Sequence, residues 1–118
     1  HASEVKDIVF EMETLDRFCD DYQIGSIDFL KIDTEGNELE VLQGAEKMLS
    51  EGRIRILQFE FGECHVYSRT FIRDFYQLLP DYQFFRLGPR RLVPLGEYKV
   101  SNEIFRFQNI VAFHCGAQ

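Results

Sequence analysis

The side chains best equipped for chemistry fall in two short stretches. The first is Lys31-Ile32-Asp33-Thr34-Glu35-Gly36-Asn37-Glu38, and the second runs from Glu60 through Glu63 to His65. Asp33 closes the apolar run that starts at Ile27, and an acid in that position must be hydrogen-bonded, paired or used. Glu60 interrupts Phe59 and Phe61 in the same way. If the two runs are neighbouring strands, both carboxylates reach one crevice. Open parallel sheets handle ligands there, outside the carboxyl ends of strands and beside helix N-termini. Gly36 permits a tight turn at that point, or the close approach of a ligand to the backbone. A histidine beside an acid can act as general base near neutral pH, which makes His65 a candidate. Plainer readings stand beside these. The helix macrodipole stabilises acids such as Glu38 and Glu40 by about 0.3–1 kcal/mol each without any ligand, and a lone loop histidine can simply be solvated. Asp33 is the strongest functional candidate.

Strands and helices must alternate to position these groups. Val5 to Met12 reads as an extended piece with Ile8, Phe10 and Met12 on one face. Thr14 is an N-cap for a helix carrying Leu15, Phe18, Cys19 and Tyr22, stopped by Gly25. Ile27 to Asp33 is a near-continuous apolar run, as expected of a strand covered on both faces. Asn37 through Leu49 is predicted as one helix, with Asn37 and Glu40 resembling a capping box and Gly52 at the C-cap. Arg53 to Phe61 is the second strand. Ser68 can cap a helix from Thr70 to Leu79, which Pro80 ends. Tyr82 to Leu87, Arg91 to Leu95 and Phe107 to His114 read as strands joined by Gly-Pro and Pro-Leu-Gly turns. The order predicts an α/β sheet that finishes in an antiparallel hairpin.

Composition narrows the function classes. A chain of 118 residues, 45% hydrophobic and with 12 Phe and no Trp, suits one small domain with a phenylalanine-packed core. The net charge of −7 makes nucleic acid and anionic membranes poor partners. Arg86, Arg90 and Arg91 are a local basic exception, read as a solvated turn. Cys19, Cys64 and Cys115 are odd in number and form no C-x-x-C pair, which points to a reducing, cytoplasmic setting.

The chain resembles the FkbM family of methyltransferases. The matching features are Thr14-Leu15-Asp16 opening a helix, Ile27 to Asp33, Glu35-Gly36 with Glu38, Leu39-Glu40-Val41-Leu42-Gln43-Gly44-Ala45, and a strand carrying Glu60. They span residues 12 to about 62. The K-I-D-x-E-G-x-E stretch with an upstream T-L-D carries the specificity. The resemblance implies a Rossmann-like class I methyltransferase sheet, transfer of methyl from S-adenosylmethionine, and a small-molecule acceptor, commonly a hydroxyl of a sugar or polyketide-like compound. It casts Asp33 and Glu35 as lining the cofactor–acceptor crevice. Asp33, Glu60 and His65 are then the catalytic candidates, with Glu60 or His65 as base.

The family's glycine-rich turn and ribose-binding acid have no counterpart, since no G-x-G occurs. Residues 1–118 are therefore expected to form a single partial domain: the C-terminal half of the methyltransferase fold, without its main cofactor grip. Two expectations follow. The chain alone should bind S-adenosylmethionine poorly and be inactive, and strand 27–33 should present an open edge prone to self-association. A non-catalytic interaction module derived from such a half is the alternative. A hydrolase holding a metal on Asp33, Glu35 and Glu60 is a third reading.

Overall fold

The computed structural model describes residues 13–116, so the extended piece expected at Val5 to Met12 lies outside the described residues. Helix α1 (Leu15–Asp21), strand β1 (Ile27–Ile32), α2 (Glu38–Gln43), α3 (Glu46–Ser50) and β2 (Ile54–Phe61) come first. They are followed by α4 (Cys64–Tyr67), α5 (Ile72–Leu78), β3 (Tyr82–Leu87), β4 (Leu92–Pro94) and β5 (Gln108–His114). The strands make one five-stranded sheet in the order β1-β2-β5-β3-β4. β1 and β2 are parallel, while β5 runs antiparallel to both β2 and β3. β3 therefore points the same way as β1 and β2. The carboxyl ends of these three strands share one end of the sheet with the amino end of β5.

Alternation along β2 sets the faces. Leu57, Phe59 and Phe61 are fully buried, whereas Ile56, Gln58 and Glu60 are only partly so. The buried set joins Ile32, Ile110, Ala112 and Phe84 in one cluster with Cys19 of α1, Leu42 of α2, Met48 and Leu49 of α3, and Ile72 and Phe75 of α5. Phe59 stacks on Phe75 at 4.3 Å, and Phe61 stacks on the ring of His65 in α4 at 4.6 Å. The other parity, including Phe29, Ile56, Phe85 and Phe113, stays outside that cluster. Truncating a fully buried phenylalanine such as Phe59 costs about 3–5 kcal/mol in cores of this kind.

The strand assignments hold to within a residue or two, but helix ends and caps differ from the sequence expectations. The predicted helix over Asn37–Leu49 is broken into α2 and α3 at Gly44 and Ala45. The start of α1 lies against the break. Asp16 N–H donates to the Gly44 carbonyl at 3.0 Å, and its carboxylate accepts from Lys47 N at 2.7 Å and Met48 N at 2.9 Å. A Cβ on Gly44 would sit 3.2 Å from Thr14 Cβ, so a larger residue there would have to push Thr14 aside by a few tenths of an ångström. Thr14 caps α1 as expected, accepting from Arg17 N. The T-L-D stretch is thus joinery: Thr14 starts one helix and Asp16 starts another, each cap contributing about 1 kcal/mol.

Other caps move for similar long-range reasons. Asn37 makes no side-chain cap, so the capping box with Glu40 does not form. α1 ends at Asp21 with Gln23, not Gly25, in the left-handed region (φ 56°). Gly52 does close α3 in that region, at φ 68°. Ser68 follows α4 and does not begin α5. The first amides of α5 are taken by Glu103, which accepts from Ile72 N at 2.7 Å and Arg73 N at 3.0 Å. Among the described residues no helix is long and apolar enough to cross a membrane.

Candidate active site

Asp33 and Glu60 do meet. The parallel register pairs Ile32 with Phe59, so the next residues, Asp33 and Glu60, are cross-strand neighbours at the carboxyl ends of β1 and β2. Glu60 is held above the ordinary range of a glutamate. Burial is the largest cause, followed by the charge of Asp33 and a hydrogen bond with it, then by the charges of Glu38 and Glu35. Asp33 itself is exposed. The site end therefore carries an accessible acid beside a partly buried one poised to accept a proton.

The loop from Asp33 to Asn37 is strained and clamped. Glu35 (φ 53°) and Gly36 (φ 117°) both take left-handed backbone, and a Cβ at position 36 would lie 3.2 Å from the Cys64 carbonyl oxygen. Only glycine fits that close crossing of the two loops. The clamp is Glu38, which is fully buried. Its Oε2 accepts from Thr34 N and its Oε1 from Gly36 N, both at 2.9 Å. His65 Nε2 lies 3.0 Å from the same Oε1, although its N–H points off the line of a well-formed hydrogen bond. Nδ1 of that ring accepts from Gly62 N at 3.1 Å, which places the neutral ring's proton on Nε2. Glu38 and His65 thus tie the loop after β1 to the loop after β2.

This revises the reading of His65. It is not a solvated loop residue, and both of its ring nitrogens face protein groups. It lies within α4 at 1% exposure, with one nitrogen against Gly62 and the other against Glu38. Burial is the main influence on its titration and lowers its pKa, against the raising effects of Glu38 and the Gly62 amide. Glu38 stood in the motif at the strand end, with the macrodipole as its plainer reading, and its role as a buried clamp is what sequence reasoning missed. The available signal was its position two residues beyond Gly36, the reach needed to fold back on that loop.

A cavity of about 210 Å³ opens between the two loops, with Glu35, Glu60, Gly62 and Phe107 in its walls. Ligand pockets usually run to about 300–1,000 Å³, so this one holds part of a ligand. Among the described residues no group of three His, Cys, Asp or Glu side chains is placed to hold a metal ion, which leaves the hydrolase reading without a ligand set.

Paired acids at adjacent parallel strand ends, on a five-stranded sheet packed with helices, place a candidate site at the strand ends of an α/β protein. The description "Methyltransferase FkbM domain" matches residues 1–86, and the chain belongs to that methyltransferase family. No curated protein and no solved structure matches the chain.

The fit to S-adenosylmethionine can be judged from the backbone at this end of the sheet. The methyl donor carries no phosphate, and the part of it that free backbone amides would meet is its α-carboxylate. Here the amides of Thr34 and Gly36 are both taken by Glu38. The described residues offer acids that can line a cofactor crevice but no backbone cradle, so by themselves they do not fit the group.

Proposed function

We propose that this chain supplies the acceptor-side half of an S-adenosylmethionine-dependent O-methyltransferase acting on a small hydroxylated compound, sugar-like or polyketide-like. The observation that carries the reading is the Asp33–Glu60 pair at the strand ends of a chain of the FkbM family. The strand order supports it as well. A reversed β5 inserted between β2 and β3, which point the same way, suits the C-terminal half of a Rossmann-like class I sheet. In this reading residues 1–118 are one partial domain, and the methyl donor is held mainly by groups outside it. Glu60 takes the acceptor hydroxyl's proton as the oxygen is methylated, and Asp33 orients that hydroxyl and raises the basicity of Glu60. Glu35 lines the crevice. His65 holds the loops and takes no proton.

The reading is tested by Asp33→Asn in a protein carrying both halves. Methyl transfer is expected to fall by about 10²–10³-fold with the acceptor KM less affected. A loss of tenfold or less removes Asp33 from the assignment.

Self-association belongs to the same proposal. Among the described residues β1 pairs with β2 alone, and Phe29 on β1 is 51% exposed. An open strand edge of this kind recruits another strand. Light scattering is expected to show dimers or larger species as concentration rises, and a monomer at high concentration contradicts it. A non-catalytic interaction module would use the same edge, but it gives no account of a glutamate held above its ordinary range beside a second acid.

A further inference from the structure

The β3–β4 hairpin carries a charge pattern that proton transfer does not use. In a chain of net charge −7, residues Tyr82 to Gly96 contain three arginines, Arg86, Arg90 and Arg91, and no acid. The turn between the strands is closed by Gly88 N donating to the Arg91 carbonyl at 2.9 Å, which fixes Arg90 and Arg91 on it. Arg86 is partly buried and anchored. Its Nε donates to Gln108 Oε1 at 2.8 Å, and Gln108 Nε2 in turn donates to the Ile104 carbonyl at 3.0 Å. With Nε so engaged, the two terminal nitrogens of the guanidinium remain as a fork. Among the described residues none of the three arginines has an acidic partner.

Topology brings this turn to the site. β1, β2 and β3 point the same way, so Leu87 ends β3 at the same end of the sheet as Asp33 and Glu60. The register makes the row explicit. Glu60 pairs with Asn109, and Arg86 pairs with Ile110, so Leu87 stands beside Asn109. The rim then reads Asp33, Glu60, Asn109, Leu87 and onward into the arginine turn. At about 4.8 Å per strand, Glu60 and the end of β3 are about 10 Å apart. One end of the rim is acidic and the other cationic.

We propose that Arg86, Arg90 and Arg91 form an oxyanion-recognition site at the β3 end of this rim, for a carboxylate, sulfate or phosphate carried by the methyl acceptor. Guanidinium forks bind planar or tetrahedral oxyanions through paired N–H donors, and a cation fixed by a neutral partner keeps its charge available for a ligand. Leu87, 44% exposed, and Phe107, 70% exposed, flank the rim and suit an acceptor with an apolar body between its hydroxyl and its anion. This inference names the acceptor class within the methyl-transfer reading and rests on it for the word acceptor. Its test reads anion binding alone.

The test is a titration of the chain with inorganic phosphate, followed by NMR at the arginine Nε–H groups, with sodium chloride at matched ionic strength as control. Saturable shifts of Arg86, Arg90 and Arg91 are expected with a Kd on the order of 1–10 mM. The variant carrying Arg90→Gln and Arg91→Gln should bind at least about tenfold more weakly while its backbone spectrum stays that of the parent. Arg86→Lys, which removes the fork but keeps the charge, should also weaken binding. Equal shifts in chloride, or phosphate binding unchanged in the double variant, overturn the proposal. So does an oligothymidylate that binds more than about a hundredfold tighter than phosphate, because the patch would then be a nucleic-acid surface. A positive phosphate result together with an active Asp33→Asn enzyme would keep the anion site and remove only the proton-transfer assignment.

Discussion

Glu38→Ala is expected to destabilise the fold by about 3–5 kcal/mol, a large part of the roughly 5–15 kcal/mol that holds a domain of this size together. The carboxylate is fully buried and receives the amides of Thr34 and Gly36, with the His65 ring against it. Alanine leaves two amides without their acceptor and the imidazole N–H beside a void. Each orphaned buried donor costs about 1–3 kcal/mol, and the cavity adds to that. Glu38→Gln keeps the volume and one acceptor oxygen, so its cost should be smaller, at about 1–3 kcal/mol. Urea denaturation of both variants measures this. The loop is also the place where Glu35 and Gly36 hold left-handed backbone, so the strain should relax first there and hydrogen exchange at Thr34 and Gly36 should quicken. A loss below about 1 kcal/mol for Glu38→Ala would mean that the clamp does not hold the loop.

The same clamp has an acid limit. The pKa of His65 is lowered in the fold, so the unfolded chain binds the extra proton first. The stability contributed by the neutral ring is therefore fully present above the ordinary histidine value of about 6.5, and is lost as pH falls through the lowered value in the fold.

In a protein carrying both halves, Glu60→Gln is expected to cut methyl transfer by about 10²–10⁴-fold, while in this chain it removes a charge that opposes folding. Glu60 is raised by burial and by Asp33, so ionising it opposes folding. A carboxylate with a raised value contributes stability that is present below its ordinary pKa and lost as pH rises through the raised one. Above the raised value the wild type has lost that contribution, whereas glutamine carries no charge at any pH. Thermal melts should show the variant gaining on the wild type as pH rises above the ordinary glutamate range, with the gap closing as pH falls below it. Activity within tenfold of wild type, or a variant that does not gain on the wild type as pH rises, contradicts the role given to Glu60. The pairing of a gain in stability with a loss of function is what distinguishes a functional acid from a structural one.

Features set by local pattern were legible in the sequence. The apolar runs ending near Asp33 and carrying Glu60 are adjacent parallel strands, and the apolar content of β3 and β5 identified the antiparallel part of the sheet. The juxtaposition of Asp33 with Glu60 followed from those strands alone. What local pattern could not carry is the set of contacts between distant residues. Asp16 breaks the helix predicted over Asn37–Leu49 by capping residues 31 and 32 positions away. Glu103 starts α5 from a similar separation, displacing the cap expected at Ser68. The sequence offered His65 as a candidate base or a solvated imidazole, and Glu38 as a motif acid or one stabilised by the helix dipole, because neither residue's neighbours reveal its burial. Their meaning appears only when the loops after β1 and β2 are brought together.

In the proposed reading the described residues form the acid-lined wall of a methyltransferase crevice and leave the cofactor to be held mainly by other groups. A calorimetric titration with S-adenosylhomocysteine tests it most directly. No binding in the micromolar range is predicted, because the amides of Thr34 and Gly36 are already bonded to Glu38 and the chain contains no G-x-G turn. Micromolar binding at one site per chain would contradict the account, since it would mean that these residues complete the cofactor site themselves.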